Sequence, residues 1–192
     1  MFVEAHRYLD PPFEVYHGGG LFCTHTLERA SPEARALKDL CRSVLHALGM
    51  VRGVTHTEFI QSEEDGRFYF LETAARVGGA HIVELIEAAT GINLWREWAR
   101  LEVADARGEL YAAPEPRHDY AGLLVSLARQ EWPDTSAYAD PEVVWRLSKH
   151  YHAGLIVASP DLERVRTLLE SYMPRFRNDF YASLPALETP AD

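Results

Sequence analysis

The sequence predicts an α+β fold, an antiparallel sheet with packed helices, followed by a small C-terminal αβ lobe. Three observations lead there. Short segments at 54–60, 67–72, 122–127, 143–147 and 153–158 alternate or gather strand-forming residues. Longer segments repeat apolar residues at spacings of three and four, as helices with one buried face do. The chain is 192 residues long and 47% hydrophobic, enough for one domain, or one domain plus a small lobe.

In chain order, Gly18-Gly19-Gly20 lies between Tyr16 and Leu21 and reads as a hairpin turn. Ser31 caps a helix with Pro32 at its first position. Leu37, Leu40, Cys41, Val44, Leu45 and Leu48 line one face of it, and Gly49 stops it, so it runs from about 32 to 48 with Cys41 in the core. A helix over about 80–89 buries Ile82, Leu85, Ile86 and Ala89 and ends near Gly91. Asn93 caps another through about 103. Pro114 to His118 forms a linker, dividing the chain into 1–113 and a lobe over 114–183. In that lobe three strands precede a helix opened by Ser159-Pro160. Asp161 and Glu163 in its first turn suit the helix dipole, and Val165, Leu168, Leu169 and Met173 form its buried stripe. Residues from about 184 form a frayed tail.

The chemistry concentrates in Val54 to Gly91. Val54, His56, Glu58 and Ile60 share one face of a strand, and Phe68, Phe70 and Glu72 share one face of the next. Glu64-Asp65-Gly66 is turn-forming. A loop with an odd number of residues centred on Asp65 pairs Glu58 with Glu72, with Cβ atoms about 4.5–5.5 Å apart. A two-residue loop would not match the faces. Paired carboxylates repel unless a cation lies between them or one takes a proton, and Mg²⁺ combines one or two carboxylates with phosphates and water. Arg76 can pair phosphate oxygens in a fork. Gly78-Gly79 allows close backbone approach, and the helix that follows offers N–H groups to anions. The same residues also compose an ordinary solvated hairpin and a strand-to-helix turn.

Gly53, His56-Thr57-Glu58-Phe59, Tyr69-Phe70-Leu71-Glu72, Arg76, Gly78-Gly79 and Glu87 to Leu94 together resemble the C-terminal half of the ATP-grasp fold, found in carboxylate–amine ligases and carboxylases. The resemblance spans most of residues 1–104. It implies that Glu58 and Glu72 ligate Mg²⁺, with Mn²⁺ as an alternative. It also implies that Arg76 acts catalytically on the phosphates or an acyl phosphate, and that Gly78 and Gly79 help bind ATP. Met1 to Glu4 resembles the end of the adenine-hinge strand, making Val3 and Glu4 nucleotide-binding candidates, with Glu4 or Glu14 as the acid for the ribose. Many members carry Asn two residues after the second Glu; Ala74 stands here, removing one metal ligand. The implied activity is ATP-dependent activation of a small carboxylate as an acyl phosphate, followed by attack of an amine or other nucleophile.

The family places a substrate domain and a lysine-bearing, glycine-rich lobe before the hinge, whereas this chain opens at the hinge and has two lysines, Lys38 and Lys149. The competing expectation is therefore a truncated, non-catalytic remnant or interaction subunit. Such a chain exposes apolar surface and forms homo-oligomers or associates with the missing half. A net charge of −10 argues against a nucleic-acid partner. No apolar run is long enough to span a membrane and no leader is evident. Two cysteines suggest a reducing cytoplasm rather than a disulfide framework. The nine histidines lack zinc-deaminase partners, and His150 with His152 is weak as a metal pair.

Overall fold

The computed structural model describes residues 1–9 and 20–182. Its centre is a five-stranded antiparallel sheet of order β1-β2-β5-β7-β6, with β1 His6–Tyr8, β2 Leu21–Thr26, β5 Tyr120–Leu127, β6 Val143–Arg146 and β7 His152–Ser159. A separate two-stranded hairpin is formed by β3 His56–Gln61 and β4 Phe68–Ala74. Four helices complete the described chain: α1 Pro32–Ala47, α2 Ile82–Thr90, α3 Leu94–Ala106 and α4 Leu162–Asp179.

The central strand β5 decides the layering. Gly122 and Leu124 face α4, whereas Ala121 and Leu123 face α2, as period two requires. On the first side Leu21, Leu124, Leu155 and Val157 pack on Val165, Leu169, Tyr172 and Phe176. On the second, Ala121, Leu123 and Ile156 pack on Leu85 and Ala89. The sheet is thus covered on both faces. Three of the four α4 positions expected to be buried, Val165, Leu168 and Leu169, are so, while Met173 is only partly covered.

The segment expected as a separate lobe supplies the middle of this sheet instead. β2 pairs with β5 from Leu21↔Ser126 to His25↔Gly122, so the break at 113/114 does not separate two sheets. Local periodicity marks β5 but carries no information about a partner some hundred residues away. The caps follow the sequence more closely. Ser31 accepts from Ala34 N at 3.0 Å and Asn93 accepts from Arg96 N at 3.1 Å. At α4 the cap is Asp161, accepting from Glu163 N at 2.9 Å, rather than Ser159.

Helix α1 departs from expectation in burial. Among its side chains Ala34 is buried, while Leu40 is 36% exposed and Cys41 is half-buried. The apolar face of α1 does not reach a packed core. Leu37, Cys41 and Leu45 instead border a cavity of about 1460 Å³, shared with the first residues of the chain, the β3–β4 hairpin and α3. Among the described residues no helix is long and apolar enough to cross a membrane. Glu14, Gly18, Gly19 and the tail from 184 lie outside the described residues.

Candidate functional site

Glu58 and Glu72 stand directly opposite each other on β3 and β4. The register that brings them there is not the one the loop alone would set. Gln61 pairs with Phe68, leaving 62–67 between them, an even number of residues, and Ile60↔Tyr69 and Phe59↔Phe70 follow. The register then shifts by one residue, so Leu71 is the extra residue of a bulge and Glu58 meets Glu72. Strict alternation from Phe70 to Glu72 is broken. Phe70 faces Phe59, with ring centroids 6.1 Å apart, and does not share Glu72's place in the ladder. A bulge re-aims a side chain; here it re-aims a carboxylate.

The two acids differ in their surroundings. Glu58 is half-buried, and its Oε1 accepts a hydrogen bond of 2.8 Å from the Tyr8 hydroxyl. His56 Nε2 lies 3.3 Å from the same hydroxyl and 3.9 Å from that oxygen. Glu72 is exposed and makes neither hydrogen bond nor ion pair among the described residues. Burial, with the Glu58 hydrogen bond, pushes the Tyr8 phenol well above its ordinary value of 10.0, so it is a fixed donor. His6 stacks on His56 at 6.3 Å and is pushed down to about 3 by burial, with repulsion from His56 and His25 adding to it. Burial lowers His56 as well, against the attraction of Glu58. The floor beneath Glu58 is therefore neutral, not cationic.

Arg76 follows β4 and is exposed. Its Nη1 donates to Val77 O at 2.8 Å, and no carboxylate pairs with it among the described residues. The glycines after it have different duties. A Cβ on Gly78 would sit 3.0 Å from Ile82 Cβ and 3.2 Å from His56 Cδ2, so this glycine serves packing within the chain. Gly79 faces open space. Ala80 and His81 then both adopt left-handed backbone, at φ 47° and 66°, and Ile82 N donates back to Gly79 O at 2.9 Å. This is a tight turn in the conformation usually given to Asn-Gly, and each non-glycine residue there costs on the order of 1–2 kcal/mol. Helix α2 consequently starts at Ile82 rather than Ala80, with one of its end N–H groups already used. We expect Gly78→Val to destabilise the fold by about 1–3 kcal/mol and to displace His56, seen as a lowered thermal midpoint and a changed His56 ring resonance.

At the chain start, Val3 and Glu4 border the same cavity as Glu58 and Gly78. The expected hinge strand is not formed by residues 1–4; β1 begins at His6. The Glu4 carboxylate is not free for a ribose. It is buried against Arg29 at 2.8 Å, and Arg29 also donates to His118 O and Asp119 O at 2.9 and 2.6 Å. Burial raises Glu4 above its ordinary value of 4.5, with the Arg29 charge opposing the shift. Tyr8 is the functional candidate missed in the sequence. Its signal was the period-two relation to His6, which sets both rings on one face of β1.

Among the described residues no three His, Cys, Asp or Glu side chains are grouped to hold a metal ion. His150 packs edge-on against Trp132 at 3.9 Å, and His152 Nδ1 contacts His150 O at 2.7 Å. Glu58 and Glu72 form a two-carboxylate donor set, which fits a hard cation that fills its shell with water and phosphate oxygens.

No protein-family model matches the chain, and no curated protein matches its sequence. Solved structures do match its fold. An L-amino acid ligase from Bacillus licheniformis superposes with a TM-score of 0.60 at 17% identity, covering 85% of this chain and 44% of that one. A phosphoribosylglycinamide synthetase from Anaerococcus prevotii gives 0.55 at 16% identity, covering 85% and 45%. An N5-carboxyaminoimidazole ribonucleotide synthetase from Thermotoga maritima gives 0.56 at 13% identity, covering 84% and 46%. The chain spans less than half the length of these structures.

Proposed function

From a fold that is that of the ATP-grasp enzymes over the shared segment, we propose that this chain is the ATP- and Mg²⁺-binding portion of a ligase. That ligase would activate a small carboxylate as an acyl phosphate for attack by an amine or another nucleophile. The observation that carries this reading is the bulge at Leu71, which sets Glu58 opposite Glu72 four residues before an Arg76 that no carboxylate engages among the described residues.

In this reading Glu58 and Glu72 hold Mg²⁺, or Mn²⁺ in its place, which when bound neutralises charge on phosphoryl oxygens. Arg76 pairs with the transferring phosphoryl group through its guanidinium fork. Gly79, open on its Cα, lets the backbone approach phosphate, while Gly78 keeps the turn against Ile82. Main-chain groups of Val3 and Glu4 face the adenine edge, and Glu14 is left as the ribose candidate. Ala74 withholds one metal ligand, so the site leans on water and phosphate.

Calorimetric titration of wild type and Glu72→Ala with ATP, with and without Mg²⁺, tests this. Expected is Mg²⁺-dependent binding that Glu72→Ala weakens by more than about tenfold, equivalent to about 1.4 kcal/mol. Equal binding by the variant would discard the site. A second reading is favoured by the exposure of Ile60, Tyr69, Phe70 and Leu71 on the hairpin. These side chains suit a partner surface, either a second copy or the missing half. Absence of nucleotide binding together with concentration-dependent association in sedimentation would favour it.

A further inference from the structure

We infer that Tyr8 is a positioning residue that engages one oxygen of Glu58 and so makes that carboxylate a one-oxygen ligand, biasing the site toward Mg²⁺ over Ca²⁺. This rests on the metal-site reading of Glu58 and Glu72 above.

The geometry is local and specific. The Tyr8 hydroxyl has one proton, and it points to Glu58 Oε1 at 2.8 Å. The hydroxyl can then only accept from its other neighbour, so His56 Nε2 at 3.3 Å carries the hydrogen of that contact. The relay runs His56 to Tyr8 to Glu58. It occupies one acceptor position of Oε1 and leaves Oε2 with no hydrogen-bond partner among the described residues, so Oε2 is the freer oxygen for a cation.

The Tyr8 ring has little freedom to release this oxygen. Phe22 packs against it at 5.3 Å, and His6 meets it edge-on at 5.4 Å. His6 is itself tied to Thr24 Oγ1 at 2.8 Å, and Thr24 Oγ1 donates to Arg7 O at 2.8 Å, beside Tyr8 in the same strand. A ring flanked by two aromatic neighbours keeps its hydroxyl in place, which is how a neighbour of a metal ligand sets that ligand's orientation.

The consequence separates two cations. Mg²⁺ takes a compact octahedral shell and is content with single carboxylate oxygens. Ca²⁺ is larger and uses both oxygens of a glutamate readily. A glutamate with one oxygen already engaged serves the first and underserves the second.

The test is calorimetric titration of the full chain with ATP in MgCl₂ and, separately, in CaCl₂, for wild type, Tyr8→Phe and Glu72→Ala. Tyr8→Phe keeps the ring and deletes only the hydroxyl. It is expected to weaken Mg²⁺-dependent binding about 10-fold while Ca²⁺-dependent binding falls less or rises, narrowing the Mg²⁺/Ca²⁺ ratio. Loss of packing alone would lower both affinities together and leave the ratio in place. An unchanged ratio in Tyr8→Phe, with Mg²⁺-dependent binding weakened in Glu72→Ala, overturns the role of Tyr8 and leaves the metal site standing. No Mg²⁺-dependent binding by wild type overturns both. Should Tyr8→Phe not fold, the wild-type chain decides: ATP binding at least about 10-fold tighter in MgCl₂ than in CaCl₂ supports the inference, and equal affinity in the two salts rejects it.

Discussion

Replacing Arg29 by alanine is expected to destabilise the protein by about 3–5 kcal/mol, one of the two largest single-residue effects anticipated. Glu4 has only 4% of its side chain exposed, and Arg29 is its partner at 2.8 Å. Removing Arg29 strands a buried carboxylate. It also releases the carbonyls of His118 and Asp119 and the Tyr120 ring, over which the guanidinium lies at 5.1 Å. Arg29 therefore ties the chain start to the entry of β5.

The pH dependence has a definite sign. Glu4 is already raised above 4.5 in the folded protein, and Arg29 is what opposes that rise. Without Arg29 the folded-state value climbs further. A carboxyl raised on folding favours the fold when protonated, below the unfolded value, and loses that contribution as pH rises through the folded value. The penalty in Arg29→Ala should thus be greatest at pH 7–8 and shrink toward pH 4.5. Urea denaturation at several pH values measures it, and Glu4→Gln in the same background should recover much of the loss. A penalty below about 1 kcal/mol, the same at every pH, would mean that water already reaches this pair through the cavity.

The second large effect lies in the core. A Cβ on Gly122 would fall 2.7 Å from Leu169 Cδ1 and 3.0 Å from its Cγ, with Leu169 fully buried. Gly122→Ala should cost about 1–3 kcal/mol by overpacking, and Leu169→Ala about 2–5 kcal/mol by leaving a cavity. Together they should cost less than their sum by about 1–2 kcal/mol, because the new methyl occupies part of the space vacated. Additivity to within about 0.5 kcal/mol would show that β5 and α4 adjust independently.

Much of the fold was legible because it is written in local pattern. Ser31 and Asn93 cap where expected, and β5, β7 and α4 fall close to their periodic segments. Glu58 and Glu72 were recognisable as a pair from spacing, yet the bulge that pairs them was not, since Leu71 reads as one more residue of an alternating strand. Burial of α1 was overread. An apolar stripe specifies which face turns inward, but Leu37, Cys41 and Leu45 meet a cavity there. Partner choice was the least legible. Nothing about Glu4 in sequence distinguishes a ribose ligand from the mate of Arg29, because side-chain pairing across 25 residues is decided by the packed fold. Tyr8 was likewise hidden, its partner Glu58 lying 50 residues on.

The pairing of β2 with β5 has a kinetic meaning. Those two strands are neighbours in the sheet, and all of α1, the hairpin, α2 and α3 lie in the chain between them. The sheet cannot close until that long loop has been drawn together, which places its formation among slow, high-contact-order events. The hairpin needs only its own turn and forms on the microsecond scale of such units. The β3–β4 ladder is therefore expected to form before the sheet closes, and to exchange its amide hydrogens more readily than β5 and β7; equal protection of the two sheets in hydrogen exchange would reject this.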